Sequence, residues 1–295
     1  MALNIPTFKT RALTALFFAL LMLAGILWNQ WSFIILFSII HFGCWFEYQK
    51  LMRLIDPDYA KITWFHKYGV MVAGWCIMLY CTNDDYLLGN IGLQDIGFWG
   101  GLFFMFVLPI VEILFVRKIN FKNISYSALG LIYISLSLGL FTNLRSIYPV
   151  HTPDIIGKIL ALRVIQVILS LWINDTMAYL AGSLIGRTQL TSISPKKTWE
   201  GTISGILLSI LIMGIIGWLV NSVLDWDSIS QWMIIAAISS VFGTFGDLIE
   251  SKFKRMANVK DSGHILPGHG GFLDRFDSLL LAAPFVWLYV ESLLK

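Results

Sequence analysis

The sequence predicts an all-α, polytopic membrane protein, a helical bundle with about nine transmembrane spans and a cytoplasmic N-terminus. Three observations predict it. First, 57% of the 295 residues are hydrophobic, 13% are charged, and mean hydropathy is +0.73. A soluble domain carries about 25% charged residues, so lipid must replace water around most of this surface. Second, apolar runs recur along the whole chain. Third, the loops between them alternate in charge.

A transmembrane helix needs ~20 mostly apolar residues to cross ~30 Å of hydrocarbon. Nine runs approach this: Ala12–Trp28, Trp31–Phe46, Tyr68–Cys81, Ile96–Val116, Ile124–Phe141, Ile155–Ile173, Gly201–Leu224, Trp232–Ile249 and Ser278–Leu294. The second and third are the shortest. The first follows Lys9 and Arg11 like a signal peptide, but it lacks a small-residue cleavage site and leads into more runs of the same kind, so it reads as a span.

Loops rich in Lys and Arg stay in the cytoplasm. Lys9 and Arg11, the Lys50–Lys67 segment, Arg117 to Lys122, Arg187 to Lys197 and Lys252 to Arg275 fall on one side of a nine-span chain, and they hold most of the 21 basic residues. The other side holds Asp84, Asp85, Asp95, Asp225 and Asp227, with Arg145 as the basic exception. The C-terminus is then external. Trp28, Trp31, Trp64, Trp226 and Trp232 stand at span ends, as interfacial anchors do.

No repeat or Pro/Ser-rich linker divides the chain. One membrane-embedded domain over 1–295 is expected, with N-terminal helices in 1–150 and the chemistry in 155–295. The net charge of +3, spread over short clusters, argues against nucleic-acid binding. Cys44, Cys76 and Cys81 form no CxxC or Cys/His array, so neither a disulfide framework nor a zinc site is expected.

Chemistry collects at one membrane depth. Asp175 follows the sixth span, Asp247 lies in the last turn of the eighth, and Asp274 and Asp277 precede the ninth with helical i, i+3 spacing. Beside them run two basic loops, Ser194-Pro195-Lys196-Lys197-Thr198 and Lys252 to Lys260, the second containing Lys254 and Arg255. Carboxylates gathered opposite Lys and Arg suit a phosphate-bearing substrate held through Mg²⁺, whose hard charge prefers oxygen ligands. The alternative, juxtamembrane charges that only fix topology, suits single lysines better than four converging carboxylates. Pro267-Gly268-His269-Gly270-Gly271 lets backbone N–H groups approach an anion.

Read together, Ser251-Lys252-Phe253-Lys254-Arg255, Lys260-Asp261-Ser262-Gly263 and Leu266-Pro267-Gly268-His269-Gly270-Gly271-Phe272-Leu273-Asp274-Arg275-Phe276-Asp277 resemble the C-terminal motif of phosphatidate cytidylyltransferases, the CDP-diacylglycerol synthases. A second stretch, Asp175-Thr176-Met177-Ala178-Tyr179 with Gly186-Arg187 and Ser194 to Gly201, is similar to that family's other polar segment. The resemblance covers roughly the C-terminal 130 residues; earlier spans match only in hydropathy. Ser183 stands where many members have Lys or Arg, and Leu190 to Ile193 is a residue shorter than usual and lacks a proline often found there.

The resemblance implies a reaction of CTP with phosphatidate giving CDP-diacylglycerol and pyrophosphate, with Mg²⁺ and room for a second cation (K⁺). It places metals on Asp247 and Asp274 and catalysis on Asp247, Asp274, Lys197 and Arg275. Substrate would be held by Asp175, Ser194, Lys196, Lys197, Lys254, Arg255, Lys260, His269, Gly270, Gly271 and Asp277. His269 would hydrogen-bond phosphate, and Asp277 would support the first metal or hold a second. The setting is a bacterial inner membrane with the site on its cytoplasmic side; a homodimer is compatible.

Other residues carry weaker readings. Glu47 and Glu112, at or near span ends, have a functional role as the default for carboxylates in membranes, although Glu47 suits an interface equally. Glu250 and Lys254, at i, i+4, suit helix-end support, while the same face carries Asp247 and Ser251 and so equally suits a helix end that presents a site. Arg163 and Gln166 share a face of the sixth span and suit an interhelical hydrogen bond. A transporter would instead place its polar residues near mid-bilayer on broken helices. A CTP-dependent lipid kinase would release CDP and need a base for a hydroxyl.

Overall fold

The computed structural model describes residues 5–83, 86–115, 119–145, 155–224, 229–263 and 270–293. They are helical almost throughout: α1 (Ile5–Leu27), α2 (Gln30–Ile55), α3 (Trp64–Tyr80), α4 (Leu93–Phe115), α5 (Phe121–Gly130), α6 (Ser137–Asn143), α7 (Ile155–Ile185), α8 (Trp199–Leu224), α9 (Ile229–Met256) and α10 (Leu273–Leu293). A π-helical turn, Leu131–Leu136, joins α5 to α6. The one sheet among the described residues is a hairpin of two-residue strands, with Leu87 opposite Gly92.

Among the described residues, six segments are long and apolar enough to cross a membrane: Gln30–Ile55, Leu93–Phe115, Phe121–Asn143, Leu162–Ile185, Trp199–Val220 and Ile229–Met256. The chain is an integral membrane protein. The other three expected spans correspond to α1, α3 and α10. The apolar helix described within α1 is Leu16–Leu27. Helix α3 has only 17 residues. Helix α10 opens with Asp274, Arg275 and Asp277 inside its first two turns.

The chain forms two compact units, residues 1–146 with 253–276 and residues 147–252 with 277–295. In the first, Asn29 caps α2: its side chain accepts the Ser32 N–H at 2.7 Å, and its own N–H reaches the Ser32 hydroxyl at 3.0 Å, which satisfies two donors that every helix start leaves open. One face of α2 is then buried through Phe33, Phe37, Cys44, Trp45 and Tyr48. Ser135, on the π-helical turn, is 2.8 Å from the Trp45 indole nitrogen and 2.9 Å from His41 Nε2. In contrast, α4 turns Trp99, Phe103, Phe106 and Leu114 outward, which costs nothing where lipid is the solvent. Glu112 on this helix is paired through Nδ1 of His66 at 3.1 Å, while Nε2 of the same ring meets Ser127 at 2.8 Å.

In the second unit, small residues let α7 and α8 approach closely. A Cβ at Gly205 would stand 2.7 Å from that of Ala178, and one at Gly201 2.7 Å from the Ala178 carbonyl oxygen, the Gly-xxx-Gly packing that suits helices in lipid. Met213, Trp232 and Ala236 form the core, with Leu169, Ile173 and Ile210 packed against it. Arg163 and Gln166 are both buried, but the Gln166 side-chain amide makes no hydrogen bond among the described residues, contrary to expectation. No disulfide joins Cys44, Cys76 and Cys81; the first two are buried and Cys81 is half-buried.

Helices α9 and α10 meet at Gly246, where a Cβ would overlap the backbone carbonyl of Asp277. Gly246→Ala is therefore expected to destabilise the protein by ~1–3 kcal/mol, as overpacking does. Thermal unfolding in detergent checks this; an unchanged unfolding temperature would show that the helices part freely.

Candidate active site

The loop between α7 and α8 is shaped by its own backbone. Gln189 pairs with Thr198 in an antiparallel bridge, the Leu190 N–H reaches the Lys197 carbonyl at 2.8 Å, and the Lys197 N–H reaches that of Ser194 at 3.1 Å. Thr198 caps α8 by accepting the Gly201 N–H at 3.2 Å. Glu200 accepts the N–H groups of Arg187 and Thr188 at 3.1 Å. A carboxylate at a helix start and a bridged loop thus hold Ser194, Lys196 and Lys197 in place.

These residues border a cleft of about 420 Å³ lined also by Asn174, Asp175, Tyr179, Gly182, Ser183, Thr198, Thr202, Thr244 and Asp247. Lys197 and Asp247 form an ion pair, each about one-quarter exposed (27% and 28%). The Ser251 hydroxyl donates to Asp247 Oδ1 at 3.2 Å. Asp175 is exposed at the rim and accepts a 3.4 Å contact from the Asn174 amide. Asn174, Thr202 and Thr244 escaped the sequence reading, although Thr244 lies one turn before Asp247 and helical periodicity would have found it.

Asp247, Glu250 and Asp277 bring carboxylate oxygens within 4.8 Å of one another. Glu250 is fully buried and Asp277 is 7% exposed. The face that Glu250 shares with Asp247 is turned inward toward Asp277 at the start of α10. Three hard oxygen donors so close repel one another unless a cation or proton separates them.

Asp274, assigned to metal by resemblance, is held within the first unit. Lys254 donates to its Oδ1 at 2.7 Å; its Oδ2 accepts the Ser262 N–H and hydroxyl, both at 2.9 Å, and the Gly271 N–H at 2.8 Å. Gly270 takes a positive φ of 81°, which favours glycine, beside this carboxylate. The anion that the Gly271 N–H meets here is thus a carboxylate of the chain itself. Arg255, Lys260 and Arg275 are exposed. His269 lies outside the described residues.

Comparison with known proteins bears directly on this arrangement. The cytidylyltransferase family profile matches residues 9–293. The chain belongs to that family. The match extends well beyond the C-terminal 130 residues in which the motifs lie, so the N-terminal helices are family structure too. The phosphatidate cytidylyltransferase of Staphylococcus haemolyticus is 32% identical over 279 residues, covering 94% of this chain and 97% of that protein. That of Bacillus subtilis is 29% identical over 280 residues, 95% of this chain and 96% of its own. Phosphatidate cytidylyltransferase 4 of the Arabidopsis thaliana chloroplast is 46% identical over a shorter stretch of 123 residues, 41% of this chain and 30% of its own.

Proposed function

We infer that this cytidylyltransferase transfers the cytidylyl group of CTP to phosphatidate, giving CDP-diacylglycerol and pyrophosphate, in the cleft of its second unit. The observation that carries the reading is the meeting of Lys196, Lys197 and Ser194 with Asp175 and Asp247 around one space, in a chain whose near full-length relatives bear that activity in their names. A family match also disfavours the transporter reading.

A phosphatidate oxygen attacks the α-phosphorus of CTP, and the bond from that phosphorus to the β-phosphate oxygen breaks. The attacking monoester is already anionic at neutral pH, so the site needs alignment and charge neutralisation more than a strong base. Lys196 and Lys197 serve the phosphate oxygens; Arg275, Arg255 and Lys260 are assigned to substrate by the resemblance alone. Ser194 and Asp175 hold substrate at the rim. The donor set Asp247, Glu250 and Asp277 fits a hard cation, and Asp247 is the residue on which this set and the resemblance agree. Mg²⁺ bound there would neutralise phosphate charge as it shifts to the leaving pyrophosphate. A second cation such as K⁺ is compatible with the number of carboxylates.

Purified protein given CTP, Mg²⁺ and phosphatidate is expected to form CDP-lipid and pyrophosphate in equal amounts; release of CDP would instead mark a lipid kinase. In the membrane, α1, α3 and α10 bring the spans to nine, the N-terminus is cytoplasmic, and both basic loops face the cytoplasm of a bacterial inner membrane. Ser192 and Asp261 are exposed. Cysteines placed at these two positions should resist an impermeant thiol reagent in intact cells and react after lysis. Ready labelling from outside would overturn the orientation.

A further inference from the structure

We propose that Glu47, carried by α2, is a positioning residue for cytidylyl transfer, fixing the backbone that carries Asp274 and Arg275. The proposal rests on the family-implied assignment of Asp274 and Arg275 to catalysis. Glu47 is only 4% exposed. Its carboxylate reaches across 226 sequence positions to accept the Leu273 N–H at 2.8 Å on Oε2, and it takes the Phe272 N–H at 3.0 Å on Oε1. These N–H groups open α10, where no earlier turn supplies a carbonyl and the helix dipole favours an anion. Glu47 is thus a cap supplied from a distant helix.

Its Oε2 also accepts the Ser262 hydroxyl at 2.7 Å, and that hydroxyl is 2.9 Å from Asp274 Oδ2. A hydroxyl carries one proton, so Ser262 serves one carboxylate at a time and ties the placement of each to the other. The glycines nearby agree. A Cβ at Gly263 or at Gly271 would overlap the Glu47 carboxylate, so the motif is glycine there because Glu47 fills the space. Asp274 and Arg275 follow Leu273 directly, so a displaced carboxylate at position 47 moves the start of α10 and both charged groups with it.

Replacing Glu47 with Gln turns an amide NH₂ toward one of the two backbone donors and removes the charge. The test compares Glu47→Gln, Ser262→Ala and their double variant with Asp274→Asn, measuring kcat, KM for CTP and thermal unfolding of the purified full chain. The expected result is a ~10–100-fold fall in kcat for Glu47→Gln, the scale seen when a group that orients a site residue is lost. KM for CTP and the unfolding temperature should change little, and the double variant should be scarcely worse than the poorer single one. Ser262→Ala, the smaller change, should fold and lose kcat in the same direction, which keeps the test open should Glu47→Gln fail to fold. Wild-type kcat in Ser262→Ala, or a loss in Glu47→Gln that merely tracks the fraction of folded protein, would overturn the proposal. An inactive Asp274→Asn beside a fully active Glu47→Gln would overturn the role of Glu47 alone. A fully active Asp274→Asn would remove the site assignment on which the proposal rests, and the proposal with it.

Discussion

Asp247→Asn is expected to lower CDP-lipid formation ~10²–10³-fold, the scale of losing one charge-stabilising group in an active site, while the protein still inserts and folds. Asparagine keeps the size and shape of the side chain but not the charge that holds a hard cation. Asp277→Asn should act in the same direction, and the two together should be little worse than one, because groups that act as a unit are non-additive. Asp274→Asn tests the family-implied assignment in the same assay. Stability should respond much less. Losing the Asp247 charge relieves repulsion with Glu250 and Asp277 but also removes the partly exposed ion pair to Lys197, so without divalent cations the Asp247→Asn protein should unfold near the wild-type temperature. Added Mg²⁺ should raise the unfolding temperature of wild type and leave the variant nearly unmoved, since a ligand stabilises only the state that binds it. Equal Mg²⁺ responses, with full activity, would return Asp247 to a structural role.

Lys197→Ala is the second large effect. Removing its point charge from the triphosphate should cost ~2.7–4 kcal/mol of transition-state stabilisation, again about 10²–10³-fold in kcat/KM for CTP. Its ion pair with Asp247 is partly exposed, so stability should change little. Lys197→Arg keeps the charge but replaces a compact ammonium with a planar fork, and partial recovery is expected. Unchanged kinetics in Lys197→Ala would make the residue a topological charge only.

Part of the C-terminal arrangement was legible because its residue types are unusual for lipid: Asp175, Lys196, Lys197 and Asp247 line one cleft, whereas Asp274 lies elsewhere, held by Lys254 and Ser262. What was not legible depends on distance or on rotation. Glu47 stood out as a carboxylate at a span end, but nothing local shows that it caps α10. Glu250 and Lys254 share a helical face, yet spacing says nothing about whether that face is buried, nor that Lys254 donates to Asp274. The glycines of the Gly-His-Gly-Gly stretch looked like room for a phosphate, whereas Gly271 gives room to Glu47. Hydropathy located the helices well: six of the nine expected spans are long and apolar enough to cross among the described residues, and the other three correspond to α1, the 17-residue α3 and α10, which begins in charge.

The location of the nucleotide is the central claim, and Thr244 tests it most directly because it lines the cleft beside Lys197 and Asp247 without being assigned a chemical role. A cysteine at Thr244 can be followed by its rate of reaction with a soluble thiol reagent in active protein, with the wild-type chain and its three native cysteines as background. CTP with Mg²⁺ is predicted to slow that reaction severalfold, in step with its saturation of turnover, while CTP added to the same protein carrying Lys197→Ala should protect only at much higher concentration. An unchanged rate of modification at saturating CTP would contradict the account and place the nucleotide elsewhere.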